Sequence, residues 1–302
     1  MTEPRFPAPG STDIALSVRT HDRVGERRVD EDWLARTWKQ PSTRIVPLAV
    51  TLVPVLEEGE GVRWHQADDL PSEGVRIFLG DREGVPHFAL LVDEPTDNGR
   101  WTTFREVVHT LREPDAGFMV HATALAEWHA SHRFCPRCGG RLHSTVAGHV
   151  LVCEQCERQQ FPRSDPAVIM LVTDGERALL GRQERWPEGR YSTLAGFVDP
   201  GESLEEAVVR EVAEETGVHV SDVSYFGNQP WPFPQSLMVG FFARATSTEI
   251  SVDGAEISDA RWFTREQLKA EAEAGTLALP SGISISRALV EAWYGAPLPG
   301  SW

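Results

Sequence analysis

The chain has 302 residues, room for two or three domains of ordinary size. It is 41% apolar, yet no apolar run approaches the roughly 18 residues of a membrane span. Twenty-nine basic against 45 acidic residues give a net charge of −16, which opposes non-specific association with nucleic acid or anionic lipid. The opening stretch MTEPRFPAPGSTDIALS has no apolar core of a signal peptide, so a cytoplasmic protein is expected.

From about Asp13 to Thr123 the runs RIVPLAVTLVPVL, GVRIFLG and HFALLVD read as strands separated by glycine and acidic turns. No catalytic motif is visible there. ATALAEWHASHRF (122–134) reads as a helix leading into the chain's four cysteines. These form two C-x2-C pairs, Cys135 with Cys138 and Cys153 with Cys156, with 14 residues between the pairs. Two such knuckles joined by a short hairpin suit one tetrahedral zinc ion. Two disulfides are the alternative, disfavoured where no export signal is present. Four thiolates close the coordination shell, so this zinc is expected to be structural, and His132, His143 and His149 have nothing left to ligate.

From Asp165, AVIMLVT, RALLGRQ and STLAGFV read as strands, followed by a helix. Ser203 and Glu206 form a capping box, Leu204, Ala207, Val208 and Val212 make an apolar stripe, and Gly217 suits the helix stop. On this helix Glu211, Glu214 and Glu215 stand at i, i+3 and i+4, which gathers three hard oxygen ligands on one face, as Mg²⁺ or Mn²⁺ requires. Glu202 is expected to brace Arg210. A merely solvated, charged helix face is the other reading of this run. Next come the strands VSYFGNQ, SLMVGFFARAT and DARWFT. Between the first two, NQPWPFPQS (228–236) carries three prolines at alternate positions, which predicts a stiff loop outside the sheet. There Trp231 and Phe233 offer flat faces to a base, while Gln229, Gln235 and Ser236 offer polar contacts. Two helices follow, one opened by Thr264 and Gln267 as a capping box, the other at 284–294 with its stripe at Ile285, Leu289, Val290 and Trp293. GAPLPGSW reads as a loose tail.

The segment 196–218 matches G-x5-E-x7-R-E-U-x-E-E-x-G-U (U aliphatic) at every defined position: Gly196, Glu202, Arg210, Glu211, Val212, Glu214, Glu215, Gly217 and Val218. It resembles the signature box of the Nudix hydrolases. A zinc ribbon directly before it and NQPWPFPQS after it make the chain similar, from about Ala122 to the last helix, to the NADH pyrophosphatase (NudC-type) family. Asn228 stands where many members have Ser. The resemblance implies catalytic divalent ions held by the Ala195 carbonyl, Glu211, Glu215 and Glu256, with Glu214 as a further ligand or base and Asp259 as the substitute if the register slips. It implies substrate contacts from Gln229, Pro230, Trp231, Pro232, Phe233, Pro234, Gln235 and Ser236, and further from Phe161, Phe197, Arg105 and Ser286. A glutamate that some members use in the ribbon hairpin is replaced by Gly148.

The expected fold class is α/β: a Nudix α/β/α sandwich with a mixed sheet (164–295), preceded by a zinc ribbon (124–163) and an N-terminal α+β domain (1–123), and followed by a tail (296–302). The resemblance implies hydrolysis of the NAD(H) pyrophosphate bond to nicotinamide mononucleotide and AMP, and a homodimer; the composition argues against a membrane partner. Removal of 5′ NAD caps from RNA by the same chemistry, or a non-enzymatic nucleotide sensor, are the alternatives.

Overall fold

Residues 14–17, 19–57, 60–252 and 254–300 are described by a computed structural model. The chain divides into two units, one of residues 18–164 with 231–235, the other of residues 1–17, 165–230 and 236–302. The start of the N-terminal region at 1–13 and the last two residues of the tail lie outside the described residues.

In the first unit, helix α1 (Glu31–Trp38) is capped by Asp30, whose side chain accepts from the Trp33 N–H. The run RIVPLAVTLVPVL is broken into β1 (Arg44–Ala49) and β2 (Leu52–Pro54) at Val50, a non-glycine residue with φ +57°. After β3 (Val75–Arg82), β4 (Val85–Val92), β5 (Trp101–Thr103) and the single-turn α2 (Phe104–Val107), the sheet order is β3-β4-β1-β2-β5. Only the β1–β4 pair is parallel. Trp38, Ile45, Phe78, Phe88 and Leu90 form a core on this sheet.

Helix α3 (Asp115–Ser131) starts seven residues before the 122–134 segment expected to be helical. Its earlier turns are apolar on several faces and buried at Phe118, Met119 and Ala122, so a one-sided stripe does not reveal them. The ribbon follows as β6 (Leu142–Thr145), β7 (Val150–Cys153) and β8 (Gln159–Gln160), an antiparallel sheet of three.

The second unit contains β9 (Asp165–Thr173), β10 (Arg177–Arg182), β11 (Leu194–Phe197), α4 (Leu204–Thr216), β12 (Val220–Trp231), β13 (Ser236–Ala245), β14 (Asp259–Thr264), α5 (Arg265–Glu273) and α6 (Ile285–Tyr294). The sheet order is β12-β13-β9-β10-β14, with β11 also on β9 and with β9 parallel to β13. Strand β9 sits centrally and is buried on both faces. Ile169 and Leu171 join Leu289, Val290 and Trp293 of α6, while Val168, Met170 and Val172 join Val208 and Val212 of α4. A mixed sheet between helices is thus the α/β/α sandwich expected from the sequence. Both capping boxes form, and Gly217 closes α4 at φ +70°.

Two local expectations are corrected. The prolines do not end β12, which continues through Pro230 to Trp231, so only 232–235 form the turn into β13. The turn closes with the Phe233 N–H donating to the Trp231 carbonyl at 2.7 Å. The tail is not loose over its described part: the buried Arg287 guanidinium donates to the Leu298 and Gly300 carbonyls, and the Leu298 N–H donates to Glu291 at 2.8 Å.

Candidate active site and zinc centre

Helix α4 packs against β11, and that contact builds the carboxylate site. Gly196 lies on β11 so close to Glu211 that a Cβ there would collide with the carboxylate. Glycine at this point of the box is therefore a steric requirement. Glu211, Glu214, Glu215, Glu256, Ala195 and Gly196 all line one cavity of about 620 Å³. Glu211 and Glu215 are buried, whereas Glu214 and Glu256 are exposed at its rim.

Arg210 organises the approach. Its guanidinium donates to Glu202 at 2.8 and 2.9 Å, to Glu211 at 2.8 Å, to Glu214 at 3.0 Å and to the Phe197 carbonyl at 3.0 Å. The expected Glu202–Arg210 brace is present, and it extends to two of the box carboxylates. Burial pushes the Glu211 carboxyl up, Arg210 opposes this, and Glu214 and Glu256 push it further up. A buried carboxylate with two like-charged neighbours in an open cavity is a donor set suited to a hard divalent cation, whose charge relieves both costs. Asp259 is not the substitute for Glu256: it accepts the hydrogen bond of the Tyr191 hydroxyl and does not line the cavity.

The other expected substrate residues belong to both units. Ser236 lines the carboxylate cavity, and Phe197, also on its wall, is 60% exposed. Gln229 is not available to a ligand through its amide. It is 1% exposed, donates to the Ala15 and Ile283 carbonyls at 2.7 and 2.6 Å, and accepts from the Ile285 N–H at 3.0 Å. Ser286 is likewise buried, bonded to Ser192 and to both the backbone N–H and hydroxyl of Thr193. Pro230 is half-buried on β12, and Asn228 beside it is exposed and donates to the Tyr225 hydroxyl.

Trp231, Pro232, Phe233, Pro234 and Gln235 belong to the first unit, as do Phe161 and Arg105. Within that unit the Arg105 guanidinium lies 4.6 Å over the Phe233 ring, Phe104 stacks on the same ring at 5.6 Å, and Trp231 meets it edge-on at 5.1 Å. A second cavity of about 320 Å³ is lined by Arg105, Phe104, Phe233, Pro234 and Glu127, among others. Phe161 stands exposed on the ribbon.

Sequence reasoning missed Gln183, Asp199 and Met238 on the carboxylate cavity and Phe104 under Phe233. Asp199 lies inside the box, which is signal enough; the other three follow strands or turns whose facing is not written in residue type.

The four cysteine sulfurs lie within 4.8 Å of one another, the only such metal-ligating cluster among the described residues. Cys135 and Cys156 are 3.7 Å apart and Cys138 and Cys153 3.5 Å. Zn–S bonds of about 2.3 Å at tetrahedral angles require S–S edges of about 3.8 Å, so the cluster fits zinc. No disulfide is present among them. Backbone N–H groups of Arg137 and Cys138 hold the Cys135 thiol down to about 6, toward the thiolate that zinc binds. His149 instead bonds the Phe78 carbonyl at 2.9 Å, and His132 the Trp128 carbonyl at 3.1 Å.

A mixed sheet between helices, with an arginine-braced glutamate face turned to a cavity, defines the Nudix hydrolase class. The family model described as NUDIX domain matches residues 163–279. The NADH pyrophosphatase zinc ribbon domain matches 130–161, and the NADH pyrophosphatase-like rudimentary NUDIX domain matches 43–128. Similar curated proteins are the NAD-capped RNA hydrolase NudC of Stutzerimonas stutzeri (41% identical, 73% of this chain and 78% of that one) and NudC of Mycobacterium bovis (37%, 90% and 92%). The NAD-capped RNA hydrolase NUDT12 of Macaca fascicularis is 45% identical over 90% of this chain and 71% of its own. The chain belongs to the NADH pyrophosphatase family of Nudix hydrolases.

Proposed function

We propose that the protein hydrolyses the pyrophosphate bond of NAD(H), giving nicotinamide mononucleotide, reduced or oxidised, and AMP. The observation that carries this reading is the gathering of the box carboxylates, the Ala195 strand and Glu256 around one cavity, with Arg210 holding the helix face. Glu211, Glu215, Glu256 and the Ala195 carbonyl are the residues that would hold Mg²⁺ or Mn²⁺. Such a cation, when bound, offsets the charge of the diphosphate and lowers the pKa of a coordinated water toward neutrality. The protein's own part is positioning. Arg210 fixes the rotamers of Glu211 and Glu214, and Gly196 lets the strand approach; Glu214, exposed at the rim, would orient water or take its proton.

The names of the relatives favour a second substrate for the same chemistry, a 5′ NAD cap on RNA. A nucleotide sensor without turnover has no need of the intact glutamate set. The test is one assay with Mg²⁺ or Mn²⁺ on NADH, NAD⁺, ADP-ribose and a short NAD-capped RNA. Metal-dependent appearance of AMP or of decapped RNA supports the reading, and binding without products contradicts it.

The same proposal retains the modules 1–123, 124–163, 164–295 and 296–302, with Phe161, Phe197, Arg105 and the 230–236 segment as substrate contacts. A cytoplasmic homodimer completes it, to be checked by light scattering and cell fractionation. No helix among the described residues is long and apolar enough to cross a membrane.

A further inference from the structure

Arg210 has no donor left for a substrate. A guanidinium carries five N–H groups, and all of them are engaged: Nε and one Nη2 hydrogen with Glu202, the two Nη1 hydrogens with Glu211 and Glu214, and the other Nη2 hydrogen with the Phe197 carbonyl. It is also the only cation on the described lining of the carboxylate cavity, which carries Asp199, Glu211, Glu214, Glu215 and Glu256 as acids. Divalent ions offset that charge, but a bound diphosphate also has oxygens that no ion covers, and these need placed N–H or O–H donors. On this wall the uncharged side chains able to donate are Gln183 and Ser236.

Gln183 follows β10 and opens a turn, closed by the Trp186 N–H donating to the Gln183 carbonyl at 3.0 Å. Just before it, the Arg182 carbonyl accepts from the N–H and the hydroxyl of Ser258 at 2.9 and 3.1 Å, which ties the turn to the loop carrying Glu256. The turn returns Arg185 onto the Gln183 side chain, where the Arg185 Nε donates to Oε1 at 2.8 Å. A guanidinium has no lone pair, so the atom facing it is the amide oxygen. The NH2 is thereby fixed as the other end of a half-buried side chain on the cavity wall, and it makes no hydrogen bond among the described residues.

We propose that Gln183 is a substrate-contact residue whose amide NH2 donates to a phosphoryl oxygen of the bound diphosphate, with Arg185 as the positioning residue that holds the amide in its donating orientation; the inference rests on the proposed diphosphate hydrolysis.

The test uses the full chain with Gln183→Ala, Gln183→Glu, Arg185→Ala and the double variant Gln183→Ala/Arg185→Ala. Turnover of NADH gives kcat and KM. Calorimetric titration with methylene diphosphonate in the presence of Mn²⁺ gives a Kd that requires no turnover, because its P–C–P bridge resists hydrolysis. Mn²⁺ affinity without the diphosphonate and Tm are measured alongside. Gln183→Ala is expected to raise KM and this Kd about tenfold, the loss of one hydrogen bond to a charged acceptor, with kcat within about twofold. Gln183→Glu keeps the bond to Arg185 but replaces the donor by an anion, so both constants are expected to rise further. Arg185→Ala is expected to raise them about threefold alone and not at all on top of Gln183→Ala, since it acts only through the amide. Mn²⁺ affinity and Tm are expected to stay unchanged throughout.

Unchanged KM and diphosphonate affinity in both Gln183 single variants overturn the contact. So does a loss of Mn²⁺ affinity in step with KM, which would make Gln183 part of the metal shell. An Arg185→Ala effect that persists in the Gln183→Ala background overturns the positioning role and puts Arg185 on the anion directly. Absence of NADH turnover in the unaltered protein, with diphosphonate binding still weakened by Gln183→Ala, would strike the proposed reaction and leave the diphosphate contact standing.

Discussion

The two candidate metal centres are built on opposite plans. At the zinc end four soft donors come from two tight turns 14 residues apart, converge to within 4.8 Å, and leave no coordination position over. At the carboxylate cavity the donors come from α4, β11 and the 254–258 loop, and an arginine holds two of them by hydrogen bonds. The first centre is closed and suited to fold stability; on the proposed function, the second is open and would carry the chemistry. The lesson is that ligand convergence in the protein alone marks a structural ion, whereas a catalytic ion shares its shell with substrate and water.

The largest effect that would sharpen this contrast is on turnover. Glu215→Gln removes a buried carboxylate charge and is expected to lower kcat by about 10²–10³-fold, several kcal/mol of lost charge stabilisation. Circular dichroism and Tm should remain native. A fully active, folded variant would break the comparison on the catalytic side. Cys153→Ser should do the reverse. Zinc content falls, and Tm drops by about 10 °C or more as several kcal/mol of metal-linked folding energy is lost; a stable, zinc-replete variant would make the ribbon something other than a closed site.

Gly196→Ala is expected to cost about tenfold in kcat/KM, since the added methyl must displace the Glu211 carboxylate, a misplacement of the kind that acts far out of proportion to its size. Gln229→Ala separates bracing from recognition. With its amide spent on three backbone partners, it should lower stability by about 1–3 kcal/mol and leave KM for NADH within about twofold. A raised KM at native Tm would return Gln229 to the substrate.

The smallest expected effect is in pH. Burial first, then Glu214 and Glu256, raise the Glu211 carboxyl above its ordinary 4.5 in the folded state. Its contribution is therefore present below the unfolded value and lost as pH rises through the folded one. Metal-free protein should lose Tm over that window, and added Mn²⁺ should restore it. Glu211→Gln should flatten the difference between the two curves.

Helix α4 was legible because its cap, stripe, stop and glutamates are all written at helical spacing, and the structure returns each of them. Helix α3 was legible only in its later turns. Buried on several faces, its earlier turns show no polar side by which to time the period. The N-terminal sheet escaped as a Nudix-like domain for a related reason. Of Nudix structure it retains a sheet and a packed helix, but α3 offers only Asp115 and Glu127 as acids, too few to write a box. Among the site residues, charge and cysteine spacing were readable directly. The destinations of Gln229 and Ser286 were not, because the same amide or hydroxyl serves a ligand or a backbone carbonyl, and only the packing of α6 and the segment at Ala15 decides. The prolines of 230–234 misled in one respect: lost ladder donors weaken a strand without ending it.

Catalysis by this protein depends on where a divalent ion sits. The direct measurement is an anomalous-difference map from a crystal soaked in Mn²⁺. It should show density bounded by the Ala195 carbonyl and the carboxylates of Glu211, Glu215 and Glu256. Strong manganese density only outside that cavity, in protein that still hydrolyses NADH, would contradict it.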